Sequence, residues 1–179
     1  MNKIEFFINY LKDPQIAAIV QTSKFTVKSI LEKIDFANVD CVIEYGPGDG
    51  VVTKELLKRM NPDSKLFAFE MNRTMLKELK KINDKRLVLV NDLAQNLPQH
   101  MHGIKADLVV SGIPFSKIKG KEKSDLIKST ANALNDQGTF VVYQYTPAMK
   151  KHLQPHFSRV ETALEPFNIP PTFIMTAHK

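Results

Sequence analysis

The chain has 179 residues, about one domain, and its 43% hydrophobic and 25% charged residues describe an ordinary globular core, not a disordered or fibrous chain. No run approaches the ~18 consecutive apolar residues of a membrane span, and the lone Cys41, set in an apolar run, excludes an internal disulfide framework and reads as a small core residue. A formal net charge of +6 points to an anionic partner but leaves nucleic acid, anionic lipid and no partner at all open.

The first 34 residues read as helical. Ile4, Phe7, Ile8 and Leu11 fall at helical spacing, as do Val27, Ile30, Leu31 and Ile34, and Asp13-Pro14 separates the two stretches. Glu5, Asn9 and Lys12 interrupt the first apolar residues, so no secretory pattern forms and a cytoplasmic protein is expected. Phe6 and Tyr10 lie outside the main stripe and Lys3 and Lys12 flank it, which suits an interfacial helix and equally a lid packed on a sheet. The expected division is therefore 1–34 as a helical lid or membrane-contact segment and 35–179 as the main domain.

From residue 40 strands and helices alternate. The pattern predicts strands at 42–45, 66–70, 87–90 and 106–111, helices at 51–60, 73–82 and about 121–135, and a long strand from Gly138 through Tyr145. Stretches near 157–164 and 171–177 pair as a terminal hairpin. Such alternation implies an α/β fold, a Rossmann-like sandwich around a mainly parallel sheet. Ligands of such sheets bind beyond the carboxyl ends of the strands.

The chemistry-bearing residues fall at those strand ends. The first strand runs into Glu44-Tyr45-Gly46-Pro47-Gly48-Asp49-Gly50 and then a helix. A dinucleotide site expects G-x-G-x-x-G, but Val51 stands at its third glycine, and the G-K-[ST] of a P-loop is absent. S-adenosylmethionine (SAM) has no pyrophosphate to cradle and needs only a close backbone wall. Glu70, followed by Met71, ends the second strand twenty residues beyond Gly50, placed to accept from both ribose hydroxyls. After the third strand, Asp92 offers an acceptor to an adenine amino group and Leu93 an apolar surface to its ring. His100 and His102 read as surface loop residues, and with no Cys/His cluster at metal-ligand spacing no metal is expected.

With these residues in register, the sequence resembles class I SAM-dependent methyltransferases over 41 to about 146, E-Y-G-P-G-D-G being a specific form of their first motif. The resemblance implies their seven-stranded sheet with a reversed last strand. Two subfamilies share the E-x-G-P-G-x-G start. Ribosomal RNA adenine dimethyltransferases carry N-[IL]-P-[YF] after the fourth strand; bacterial phospholipid N-methyltransferases carry S-G-[IL]-P. Here Ser111-Gly112-Ile113-Pro114 resembles the second, with Gly112 where the RNA enzymes place their asparagine.

Other stretches resemble the phospholipid enzymes too. Asp13-Pro14 with Gln21-Thr22-Ser23-Lys24-Phe25 is similar to D-P-…-P-S-S-[RK], with Gln21 at the usual proline. Gly138 to Pro147 is similar to G-x-F-x-Q-F-T-Y-G-P, with Tyr145 and Pro147 matching and Val142 and Thr146 departing, and Asn168-Ile169-Pro170-Pro171 is similar to N-[IL]-P-P. The RNA enzymes usually add a helical RNA-binding domain; with the chain ending at Lys179, none is expected.

The resemblance implies an N-methyltransferase acting on an aminophospholipid such as phosphatidylethanolamine at a membrane surface. An RNA adenine dimethyltransferase-like enzyme and a non-catalytic SAM-binding module are the alternatives. The cofactor candidates are Glu44, Tyr45, Gly46, Pro47, Gly48, Gly50, Glu70, Met71, Asp92, Leu93 and Ser111. On the acceptor side stand Ser111, Gly112, Ile113, Pro114, Phe115 and Tyr145, with Tyr145 and the backbone carbonyls near Ser111 holding the amine and Phe115 walling the pocket. Lys117, Lys119, Lys121 and Lys123 read as a solvated loop or as a site of attraction for lipid phosphate, worth roughly 1 kcal/mol per basic residue near an anionic surface. No protein partner is inferred.

Overall fold

In the computed structural model, residues 22–179 are described, and they form seven strands in one sheet with helices on both faces. Consecutive residues such as Val42-Ile43, Val109-Val110 and Val141-Val142 are all fully buried, so both sheet faces are covered. In chain order the elements are α1 (Lys24–Leu31), β1 (Cys41–Tyr45), α2 (Val51–Arg59), β2 (Lys65–Phe69), α3 (Arg73–Leu79), β3 (Leu87–Val90) and α4 (Leu97–Met101). They continue with β4 (Ala106–Ser111), α5 (Gly120–Ala133), β5 (Leu134–Gln144), α6 (Lys150–Leu153), β6 (Arg159–Glu165) and β7 (Thr172–His178).

The sheet order is β3-β2-β1-β4-β5-β7-β6. The strands from β3 across to β5 pair parallel, and β7 runs antiparallel to both β5 and β6. The mainly parallel seven-stranded sheet with its reversed last strand, and the terminal hairpin, are therefore as the sequence implied. The chain leaves β1 toward β2 on one side, and β4 joins β1 on the other, which makes the carboxyl end of β1 the topological switch point.

Two apolar layers hold the sheet. Val27, Ile30 and Leu31 of α1 and Val52 and Leu56 of α2 pack with Val42, Leu66, Val110 and Val141 on one face. Leu97 and Met101 of α4 and Leu126 and Ile127 of α5 pack with Ile43, Val109 and Phe140 on the other. Ser23 caps α1, its hydroxyl accepting from the Thr26 N–H at 3.2 Å.

Several expectations need correction. Helix α3 ends at Leu79, not 82. Strand β5 begins at Leu134, with an irregular register against β4 between Ala106 and Leu108. Helices α4 and α6 are too short for a periodic pattern to announce. The stretch from Ile4 to Leu11 lies outside the described residues, as does most of the expected 1–34 segment.

Arg86 closes the end of α2. Its guanidinium donates to the carbonyls of Leu57 at 2.6 Å, Met60 at 2.8 Å and Asn61 at 3.2 Å, where helix carbonyls lack intrahelical partners. It also pairs with Asp84 at 2.7 Å and, mainly through that hydrogen bond, holds the carboxyl down at about 2.

Candidate functional site

The loops after β1, β2 and β3 meet at the switch point. The Gly46 N–H donates to the Phe69 carbonyl at 3.0 Å, and the Gly48 N–H donates to Glu70 Oε2 at 3.2 Å. The Glu70 N–H donates to the Val90 carbonyl at 3.0 Å, and Asn91 Nδ2 donates to the Glu70 carbonyl at 3.0 Å. Glu70 is nearly buried, and its other oxygen accepts from the Asn72 N–H at 2.8 Å. The convergence that the sequence spacing required is thus built from two backbone–backbone hydrogen bonds and three more that tie the Glu70 and Asn91 side chains to backbone groups. Gly46 has φ of +68°, and a Cβ there would lie 2.7 Å from Ile113 Cγ2, so both torsion and space call for glycine.

Glu44 sits beneath this loop with 1% exposure. Thr53 donates to its Oε2 at 2.7 Å, while Oε1 has no partner. Burial, opposed by the Thr53 hydrogen bond and assisted by Glu70 and Asp49, raises its pKa to about 7. A buried carboxylate oxygen left unpaired beside a glycine loop suits an ammonium group, such as the one SAM carries on its methionine moiety. Pro47 and Gly48 complete the loop, and Gly50 caps α2. Met71 and Leu93, both exposed at the loop rim, offer apolar surface to a planar ring.

Asp92 is more engaged than the sequence suggested. Its Oδ1 accepts from the Leu93 N–H and Asn96 Nδ2, each at 2.7 Å, and His100 Nε2 lies 2.8 Å from Oδ2. The His100 contact leads the causes that lower its pKa. His100, expected in a surface loop, lies on α4 and meets the Phe69 ring edge-on at 5.5 Å. Only the fold could place His100 there, because α4 returns it to the end of β3.

On the acceptor side, the Gly112 N–H donates to the Tyr45 carbonyl at 2.9 Å and Gln144 Nε2 donates to the Ile113 carbonyl at 2.9 Å. Pro114 is exposed beside them. Three side chains differ from their expected roles. Phe115, expected as a pocket wall, is 1% exposed and packs edge-on against Phe140 in the core. Tyr45 is fully buried, its hydroxyl with Thr130 at 3.1 Å, so only its backbone reaches the loop. Ser111 pairs in register with Tyr45, so its buried, unpartnered hydroxyl points to the sheet face opposite Glu44.

The sequence reading missed Tyr143. A Cβ at Gly112 would lie 2.2 Å from Tyr143 Oη and 2.7 Å from its Cζ, so the tyrosine occupies the space a residue-112 side chain would fill. Burial first, and then the nearby Glu44, raise the pKa of this hydroxyl, while a hydrogen bond with the Thr22 side chain opposes the shift. Tyr145 follows the last residue of β5 and is partly exposed. Lys117, Lys119 and Lys121 are exposed, and Lys121 and Lys123 belong to the first turn of α5, not to a loop. Among the described residues no group of three or more His, Cys, Asp or Glu side chains could hold a metal ion.

A parallel sheet of this order with one reversed strand, and a glycine loop and acidic strand ends at its switch point, define a class I SAM-dependent methyltransferase. The cofactor is SAM. The model for the family "Ribosomal RNA adenine dimethylase" matches residues 2–160, and the chain belongs to that family. Among curated proteins it is 29% identical over 164 residues to an ornithine lipid N-methyltransferase from Singulisphaera acidiphila, covering 87% of this chain and 84% of that one. It is 27% identical to ribosomal RNA small subunit methyltransferase A from Clostridium botulinum, covering 64% of this chain but only 41% of the relative. Among solved structures, the precorrin-6y C5,15-methyltransferase of Geobacter metallireducens superposes with a TM-score of 0.73 at 22% identity, covering 89% of this chain and 91% of that one. Among the described residues no helix is long and apolar enough to cross a membrane.

Proposed function

We propose that this methyltransferase N-methylates the amino headgroup of a membrane aminolipid, of which phosphatidylethanolamine is the simplest. The observation that carries the reading is the pair Gly112 and Tyr143: the position after β4 holds no amide to grip a nucleobase, and the tyrosine fills the space such a side chain needs. The similarity to a lipid N-methyltransferase over most of both chains supports it.

In this reading Glu44 takes the cofactor's ammonium, Glu70 the ribose, Asp92 the adenine amino group, and Met71 and Leu93 flank the ring. Bound there, SAM supplies an electrophilic methyl group on its sulfonium. The acceptor must arrive neutral, although a free aminoethyl group has a reference pKa near 10. The loop carbonyls around Ser111–Gly112 and the Tyr145 hydroxyl accept hydrogen bonds from the amine and hold its lone pair in line, so positioning supplies much of the rate. Desolvation beside the half-buried Tyr143 favours the uncharged amine. The exposed lysines 117–121 attract the anionic surface in which the acceptor lies.

A second reading, adenine N6 methylation of RNA, is favoured by the family match. Transfer of labelled methyl from SAM to phosphatidylethanolamine and ornithine lipid in mixed vesicles, run beside stripped ribosomal RNA, separates the two. Lipid labelling is expected; label in RNA alone would reverse the assignment, and tight SAM binding with no acceptor would indicate a regulatory module.

A further inference from the structure

Polar and apolar residues are inverted in the turn joining β6 to β7. Glu165 and Asn168 are 8% and 6% exposed, whereas Phe167 and Ile169 stand 71% and 57% exposed. The turn is firmly built. The Ser29 hydroxyl of α1 and the Phe167 N–H both donate to the Glu165 carboxylate, the latter at 2.9 Å. Asn168 Nδ2 donates to the Pro170 carbonyl at 2.6 Å and to Thr172 Oγ1 at 2.9 Å. Phe25 of α1, itself 43% exposed, meets Phe167 with ring centroids 5.8 Å apart, and Lys24 Nζ lies 5.3 Å from the Phe25 ring centre. Lys28, one turn along α1, has 74% of its side chain exposed. The turn's buried polar groups are hydrogen-bonded, and the exposed Phe167 and Ile169, with Phe25 beside them, form an apolar patch of the kind that marks a contact surface.

Topology says which way these tips face. Because β7 is antiparallel to both β5 and β6, β6 runs parallel to β1–β5, and its turn into β7 lies at their carboxyl edge. That edge carries the glycine loop, residues 111–115 and the exposed Lys117, Lys119 and Lys121 around the start of α5. We propose that Phe25, Phe167 and Ile169 insert into the headgroup–acyl boundary of an anionic bilayer, with Lys24, Lys28 and lysines 117–121 meeting lipid phosphate. The methyl site is thereby pressed toward the headgroups. The inference rests on the aminolipid reading and names the surface that serves it. Stacked RNA bases suit the trio less well, since Ile169 offers no π-face and the two phenylalanine rings meet each other, tilted by 43°.

The test is flotation of the full chain with phosphatidylcholine vesicles, with and without phosphatidylglycerol, comparing wild type with Phe167→Ser/Ile169→Ser. Wild type is expected to float with the anionic vesicles. In the double variant the apparent vesicle affinity falls about tenfold or more, while SAM affinity, thermal midpoint and methylation of aminolipid dispersed in detergent stay at the wild-type level. Equal flotation of both proteins overturns the proposal, as does wild type that floats with no vesicle. A lower thermal midpoint in the variant also overturns it, by assigning the patch to cover from the protein itself, and so does a loss of RNA binding in place of vesicle binding. Patch-dependent flotation without methylation of any aminolipid would leave this surface standing and remove the acceptor assignment. Methylation in detergent without flotation would do the reverse.

Discussion

Replacing Gly112 by alanine sets a methyl carbon 2.2 Å from Tyr143 Oη and 2.7 Å from its Cζ. Ordinary carbon contacts begin near 3.5 Å, so the overlap is about 1 Å and cannot be absorbed by a small bond rotation. The ring is hemmed in by the layer that Val42, Val110 and Val141 form with α1, and its hydroxyl is tied to Thr22. Overpacking of this kind costs about 1–3 kcal/mol, and losing the Thr22 hydrogen bond adds about 1 kcal/mol. For a chain of this length, 2 kcal/mol corresponds to a fall of about 4–8 °C in thermal midpoint. Thermal unfolding of Gly112→Ala, Tyr143→Leu and the double variant forms a cycle. The double variant should be more stable than the sum of the singles, because removing the ring makes room for the methyl group. Strict additivity, or a Gly112→Ala midpoint within a degree of wild type, would refute the claim that Tyr143 dictates glycine at this position.

Glu70→Ala removes the carboxylate that the proposed reading assigns to the ribose and strands the Gly48 and Asn72 N–H groups; calorimetric SAM affinity should drop by about 1–3 kcal/mol, and unchanged affinity would place the ribose elsewhere. Glu44 titrates at about 7 in the folded protein against an ordinary 4.5, so the folded state holds the proton more tightly; the stability this provides is complete below about 4.5 and is lost as pH rises through 7. Because pairing with an ammonium needs the carboxylate, SAM affinity should rise up to about tenfold per pH unit toward pH 7 and then level, and Glu44→Gln should flatten that rise; an identical slope in the variant would show that another group titrates. Arg86→Ala leaves the last carbonyls of α2 without their donor and the Asp84 carboxylate without the guanidinium, and urea unfolding should show a loss of about 1–3 kcal/mol without loss of SAM affinity in the surviving folded fraction.

Much of this architecture is written locally. Apolar runs of three or four residues mark β1 to β4 (Cys41–Ile43, Leu66–Phe69, Leu87–Val90 and Leu108–Val110), and the central β1 and β4 need no alternation because both of their faces are buried. The glycines after β1 and the acids after β2 and β3 are spaced by the strand–helix repeat itself, which is why the convergence of the three loops could be foreseen from chain position. Gly112 was equally visible as a missing amide.

What the sequence could not yield is whatever depends on residues far apart in the chain. Phe115 looks like a pocket wall from its neighbours, but the turn after β4 folds it onto Phe140 of the next strand, where burial outweighs exposure at the site. His100 acquires Asp92 as a partner only because the short α4 carries it back to the end of β3. Tyr143 faces Gly112 only because β5 lies beside β4, and Phe25 meets Phe167 only because α1 packs on the sheet at the far hairpin. Sequence pattern determined the class of fold and the glycine and acidic loops at the strand ends, since both follow from local periodicity and backbone torsion. The sheet's lateral order decided which side chains meet, because strand neighbours are chosen by shared burial and not by distance along the chain.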